Sequence, residues 1–223
     1  MSHHIYHTSA LIIGSYQARE ANRHFKLFTK EFGLLTASAQ SVRAPLSKLR
    51  GGLALFSLSD VAMIHSKSGW RLTNAIEKKA YWPHIRGTPS TSVTPSTPGT
   101  AAAEGTTTGA NAKKRIAASI AQLIDRLVNG EEKHEKLFDQ LVEFFEFLTK
   151  EALDEKTMRA FECVAVLRIM SELGYIASNP EIAPFLENGG VATKIDEHML
   201  AHAAKSRPIL LSHINNALKV SQL

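Results

Sequence analysis

The stretch GTPSTSVTPSTPGTAAAEGTTTGANA, residues 87–112, constrains this chain more than any other. Only Val93 among these residues carries a large apolar side chain. Little apolar burial is therefore available to offset the backbone entropy lost on ordering. Such a segment reads as a flexible Ser/Thr/Pro/Gly-rich linker. It divides the 223 residues into two small domains, 1–86 and 113–223.

Charge divides at the same place. Residues 1–86 hold 12 Lys/Arg against 4 Asp/Glu, whereas 87–223 hold 14 against 17. One half is suited to face a polyanion and the other is not. The 44% hydrophobic content suffices for packed cores. No run approaches the ~18 apolar residues that span a bilayer, and the N-terminus has no Lys/Arg-bearing signal region. With Cys163 the single cysteine, no internal disulfide or multi-cysteine zinc site can form. The expectation is a soluble intracellular protein.

Before the linker the pattern is that of short strands. Ser9–Ser15 is apolar. His24–Thr29 alternates, with Phe25 and Leu27 opposite His24, Lys26 and Phe28. Gly33 turns the chain into Leu34–Ser38. Leu58, Asp60, Ala62 and Ile64 set up a fourth alternation, and Gly69 leads into a fifth through Trp70, Leu72 and Ile76. Leu49 to Phe56 is compatible with a helical turn. Five short strands in about 80 residues suggest a small closed barrel, since closure removes exposed edges.

After the linker the period becomes helical. Apolar faces form at Ile116, Ile120, Leu123, Ile124 and Leu127; at Leu137, Leu141, Phe144, Phe145 and Leu148; and at Ala160, Val164, Leu167 and Met170. Ser206 and Pro208 are expected to open a last helix bearing Leu211, Ile214 and Leu218. The fold class is thus α+β with two domains, a five-stranded barrel followed by an all-α bundle.

Catalytic signals are sparse. Gly51-Gly52 lacks the Lys-Ser/Thr of a phosphate-binding loop, and Gly189-Gly190 stands alone. Cys163 lies in an apolar helical segment, where a structural thiol outweighs a nucleophile. His198 and His202 are spaced to share a metal, but no third ligand is evident, and His3, His4 and His7 are equally weak. No enzyme activity, metal or cofactor is expected; a metal-dependent enzyme around His198 and His202 ranks third among the readings. The basic cluster is stronger. Arg19, Arg23, Lys26, Lys30, Arg43, Lys48 and Arg50 are accompanied only by Glu20 and Glu31, and such cations bind phosphates and release counterions. Phe25, Phe28 and Phe32 interleave with them as stacking platforms or, on the more economical reading, as core.

Tyr16-Gln17-Ala18-Arg19-Glu20-Ala21-Asn22-Arg23 and the following Leu27-Phe28-Thr29-Lys30-Glu31-Phe32-Gly33-Leu34 resemble the barrel of the RecO family of bacterial recombination mediators. Ala39, Arg43, Pro45, Ser47, Lys48, Leu49, Arg50 and Gly51 fit that family's basic loop, while Gln40, Ser41, Ala44 and Leu46 stand where it carries Lys, Gly and further cations. Ala121–Leu127, Gly130-Glu131-Glu132, Leu137-Phe138-Asp139, Phe161-Glu162 and Leu173-Gly174-Tyr175 resemble its helical half. The resemblance implies an OB-fold barrel, a zinc-free member, and a cytoplasmic, nucleoid-associated mediator in bacterial DNA repair. Such a protein binds ssDNA and dsDNA, anneals complementary strands, associates with RecR and helps load RecA on strands coated with single-strand-binding protein, whose C-terminal tail docks on the helical half. Arg19, Arg23, Lys26, Arg43, Lys48 and Arg50 would contact DNA. The rival reading is an adaptor whose basic barrel binds an acidic partner peptide.

Overall fold

A computed structural model describes residues 4–17, 22–40, 42, 47–81, 104–149, 153–186 and 195–220, with the backbone alone for 104–111. The expected alternations become five strands: β1 (Ile5–Gln17), β2 (Arg23–Thr29), β3 (Gly33–Ala39), β4 (Ser57–Ser66) and β5 (Gly69–Ala80). Hydrogen bonding runs β1-β2-β3-β5-β4 and closes back on β1. All pairs are antiparallel except β3 with β5, which run parallel through Ala37↔Trp70 and Ser38↔Arg71. This is the closed five-stranded barrel of the OB type, and with the helices that follow it gives the expected α+β layout.

Side-chain parity fills the barrel. Phe25 and Leu27 of β2 pack inside with Ile12, Leu35, Met63 and Leu72. In β4 the inward residues are Val61 and Met63, so Leu58, Asp60, Ala62 and Ile64 mark the outer face. Strand β5 departs from simple alternation. Its register against β4 shifts between Ala62 and Met63, leaving Thr73 as an extra residue. A bulge of this kind reverses the facing of all that follows. Trp70 and Leu72 therefore point inward as expected, but Ala75 takes the next core position and Ile76 is 61% exposed.

Between β3 and β4 the chain makes turns instead of the helical start considered for Leu49–Phe56. The Arg50 and Gly52 amides donate to the Ser47 and Leu49 carbonyls, each at 3.2 Å. Leu49 packs on the barrel core. Gly52 is held so close to β5 that a Cβ there would lie 2.3 Å from the Ala75 carbonyl oxygen.

The helices are α1 (Glu104–Leu127), α2 (Glu135–Leu148), α3 (Glu155–Glu172) and α4 (Glu197–Val220), with a 3-10 turn at Ala183–Phe185. Helix α1 begins inside the stretch expected as linker, so 104–112 is helical. An established amphipathic helix extends at little cost, one hydrogen bond per added residue. Residues 87–103 lie outside the described residues. Helix α4 starts earlier than Ser206 and Pro208 suggest. Asp196 Oδ1 accepts from the Met199 amide at 2.7 Å and caps it, and Pro208 lies inside the helix.

The chain forms two compact units: Met1–Glu104 with Asn129–Phe145, and Gly105–Val128 with Glu146–Leu223. In the first, the 129–145 segment covers the outside of the barrel. Phe138 stacks on Phe28 with centroids 6.1 Å apart, and Phe145 lies 5.6 Å from both Phe56 and Tyr81. Lys30 Nζ reaches Asp139 at 2.9 Å, and Trp70 Nε1 donates to Glu131 at 2.7 Å. In the second, α3 is buried on most sides and packs on α4, and the enclosed Arg168 donates through Nε to the Phe185 carbonyl at 2.8 Å.

Candidate nucleic-acid interface

The expected phosphate contacts fall on two parts of the barrel unit. Arg23 opens β2 and is exposed; Lys26 lies three residues on and is half-buried. An odd spacing on a strand puts them on opposite faces. Lys26 shares the outer face with His24, and its stem lies over Gly14 of β1, its cross-strand partner. Lys48 and Arg50 flank the anchored Leu49 and are both exposed, so the β3–β4 connection presents two cations from one packed apolar residue. Arg19 and Arg43 lie outside the described residues.

Strand register assembles what the sequence reading did not single out. Tyr16 pairs with His24, His24 with Ser38, and Ser38 with Arg71. These four form a cross-strand row over β1, β2, β3 and β5 on the outer face, since Phe25, Ala37 and Trp70 beside them face the core. The Tyr16 and His24 rings stack with centroids 5.1 Å apart and only 7° between planes. Tyr16 is 49% exposed, and Arg71 is exposed. Two acids of the barrel, Glu31 and Asp60, have partners away from this row. Glu31 accepts from the Thr8 hydroxyl. Asp60 accepts from Ser9 at 2.7 Å and pairs with Lys78 at 2.9 Å. Partial burial would raise the Asp60 carboxyl, yet these partners hold it below its usual range.

The phenylalanines that interleave with the cations are packed, not presented. Phe25 is in the barrel core, Phe28 lies under Phe138, and Phe32 sits 5.6 Å from both Tyr6 and Trp70. Cys163 is buried, and burial pushes its thiol up against the opposing influence of Arg207, the reverse of an activated nucleophile. His198 is exposed, and His202 packs 4.8 Å from Phe185. Among the described residues no three His, Cys, Asp or Glu side chains could hold a metal together, and no helix is long and apolar enough to cross a membrane. In the helical unit, Lys156, Arg159 and Arg207 line a cleft of ≈ 250 Å³ with Glu155 and Ala204.

The chain thus combines a closed OB-type barrel that carries exposed cations with a helical unit. Comparison with known proteins gives the family. Residues 1–76 match the model for the recombination protein O N-terminal domain, and residues 115–178 that for the recombination protein O C-terminal domain. The chain belongs to the RecO family. It is 27% identical over 171 residues to a DNA repair protein RecO of Desulfitobacterium hafniense, covering 77% of this chain and 52% of that protein. The RecO protein of Heliobacterium modesticaldum is 27% identical over 185 residues, 83% of this chain and 56% of its own length. That of Dehalococcoides mccartyi is 38% identical over 65 residues, 29% of this chain and 26% of its length. The chain thus spans about half the length of the first two relatives.

Proposed function

We propose that this protein is a non-enzymatic DNA-binding mediator of recombination and repair. The observation that carries the reading is the excess of 12 cations over 4 acids in residues 1–86, the part that builds the barrel. Annealing needs neither nucleophile nor cofactor. Two strands repel, and a cationic surface that binds both lowers the cost of bringing them together. Phosphate contacts position the strands while base pairing supplies specificity. Arg23, Lys26, Lys48 and Arg50, with Arg19 and Arg43, carry those contacts. RecR and the acidic tail of single-strand-binding protein are the proposed partners, with RecA loading as the outcome. The site of action is the bacterial cytoplasm, on the nucleoid.

The test is fluorescence anisotropy with single- and double-stranded oligonucleotides across a salt series, followed by annealing of strands coated with single-strand-binding protein. Combined replacement of Arg43, Lys48 and Arg50 by Ala should lower affinity and flatten the salt dependence by roughly 0.7–0.9 in log–log slope per lost phosphate contact. Unchanged affinity and slope would remove the loop from the interface. Retained binding of an acidic peptide with no DNA binding at all would favour the adaptor reading.

A further inference from the structure

The row on the outer face of β1, β2, β3 and β5 carries more than charge. An aromatic ring at a barrel surface normally buries its faces, as Phe28 does under Phe138. Tyr16 keeps about half of its surface in water, at 49% exposed, and lies flat against His24 instead of packing into the core. The two rings, 7° from parallel, stack on one another at the end of the β1–β2 ladder, so each has one face turned away from its partner. Beside it, Gly14 offers no side chain, so the Lys26 stem lies across β1 on the same face. At the far end of the row, three strands along from Tyr16, Arg71 adds a guanidinium. Ser38 lies between them, its hydroxyl donating to the Trp70 carbonyl at 3.2 Å.

We propose that Tyr16 and His24 form a base-stacking platform for single-stranded nucleic acid, with Lys26 and Arg71 holding phosphates of the same strand. The proposal rests on the nucleic-acid reading above and adds to it a surface that recognises bases. Every base has a π face, so such a platform is indifferent to sequence. It favours unpaired strands, because bases inside a duplex already stack on one another. An acidic peptide would satisfy Lys26 and Arg71 but gives no use to the exposed ring pair.

The experiment uses the full chain and two fluorescent oligomers of equal length, oligo(dT) and an abasic strand with the same phosphates, at one fixed salt concentration. Tyr16→Ala should weaken oligo(dT) binding roughly tenfold while changing abasic binding by less than about twofold. Tyr16→Phe should restore oligo(dT) binding, and Arg71→Ala should weaken both strands alike. An oligomer carrying 5-bromodeoxyuridine, irradiated with the unmodified protein, should crosslink at Tyr16 or His24. Wild-type-like oligo(dT) binding by Tyr16→Ala, an equal loss on both strands, or crosslinks only at other residues would overturn the platform and leave the nucleic-acid reading standing. Failure of the unmodified chain to bind either strand would remove both.

Discussion

Gly33 offers the sharpest test of how the barrel is joined to the segment that covers it. Its φ of +65° lies in the left-handed region, and a Cβ there would stand 1.9 Å from the Glu132 carbonyl oxygen and 2.8 Å from the carbon. Gly33→Ala therefore incurs two penalties. The left-handed backbone costs about 1–2 kcal/mol for an L-residue with a Cβ. The clash is with backbone, so no rotamer change relieves it, and the 130–133 segment must shift. Overpacking of this kind costs about 1–3 kcal/mol, giving about 2–5 kcal/mol in total. The shift also strains the Trp70 indole bond to Glu131, which makes tryptophan emission a reporter of the same event. Urea unfolding followed by that emission should show a lowered midpoint and an altered native signal. Gly51→Ala is the control. Nothing lies within 4 Å of its Cβ position, and its φ is outside the left-handed region. It should be neutral or gain up to about 1 kcal/mol from a less flexible unfolded chain. A Gly33→Ala midpoint equal to the wild type, or a matching loss in Gly51→Ala, would refute the account.

The bulge in β5 is tested by neighbours. Ile76→Ser should change stability by less than about 0.5 kcal/mol, whereas Ala75→Asp buries an unpaired charge in the barrel and should cost at least about 3 kcal/mol in the same assay. The Lys30–Asp139 pair is largely exposed, with side chains at 35% and 61%, so a double-mutant cycle with Lys30→Met and Asp139→Asn should return about 0.2–1 kcal/mol. The Asp139 hydrogen bond raises the Lys30 pKa above 10.5. That contribution is therefore fully present at neutral pH and is lost as pH rises through the folded Lys30 value. A coupling energy that disappears on acidification from pH 8 to about 6 would contradict it.

The strands were legible because period-2 alternation survives wherever one face is buried and the other wet. Phe25 and Leu27 against His24 and Lys26 is such a case, and the barrel follows from it. The pattern misleads where the register slips. Ile76 reads as core because it continues the even series of Trp70 and Leu72, and only the extra Thr73, set by pairing with β4, turns it outward. Phe28 shows a second limit. It stands on the outer face by parity yet is fully buried, because residues more than a hundred positions away cover it. Pro208 shows a third. As a helix opener it is a sound local signal, but the Asp196 cap fixes the start earlier and tertiary packing carries the helix past it.

The candidate site divides along the same line. Cations close in sequence announce themselves, and Lys48 and Arg50 are exposed on either side of Leu49, as an alternating turn requires. What linear spacing cannot convey is which cations share a face. Arg23 and Lys26 are near neighbours in the chain and opposite in the sheet, whereas Lys26 shares its face with Tyr16, ten positions before it, and with Arg71, forty-five after. That grouping depends on two non-local facts, the slip at Ile13 that brings Gly14 opposite Lys26, and the short parallel closure of β3 with β5. Neither leaves a mark on local composition. Phe25, Phe28 and Phe32 attract the eye as stacking groups because they are numerous, but numerous aromatics on a half-buried strand are what a core demands. Tyr16 differs from them: it stands on the wet face near a strand end, 49% exposed, with His24 of the neighbouring strand stacked on it.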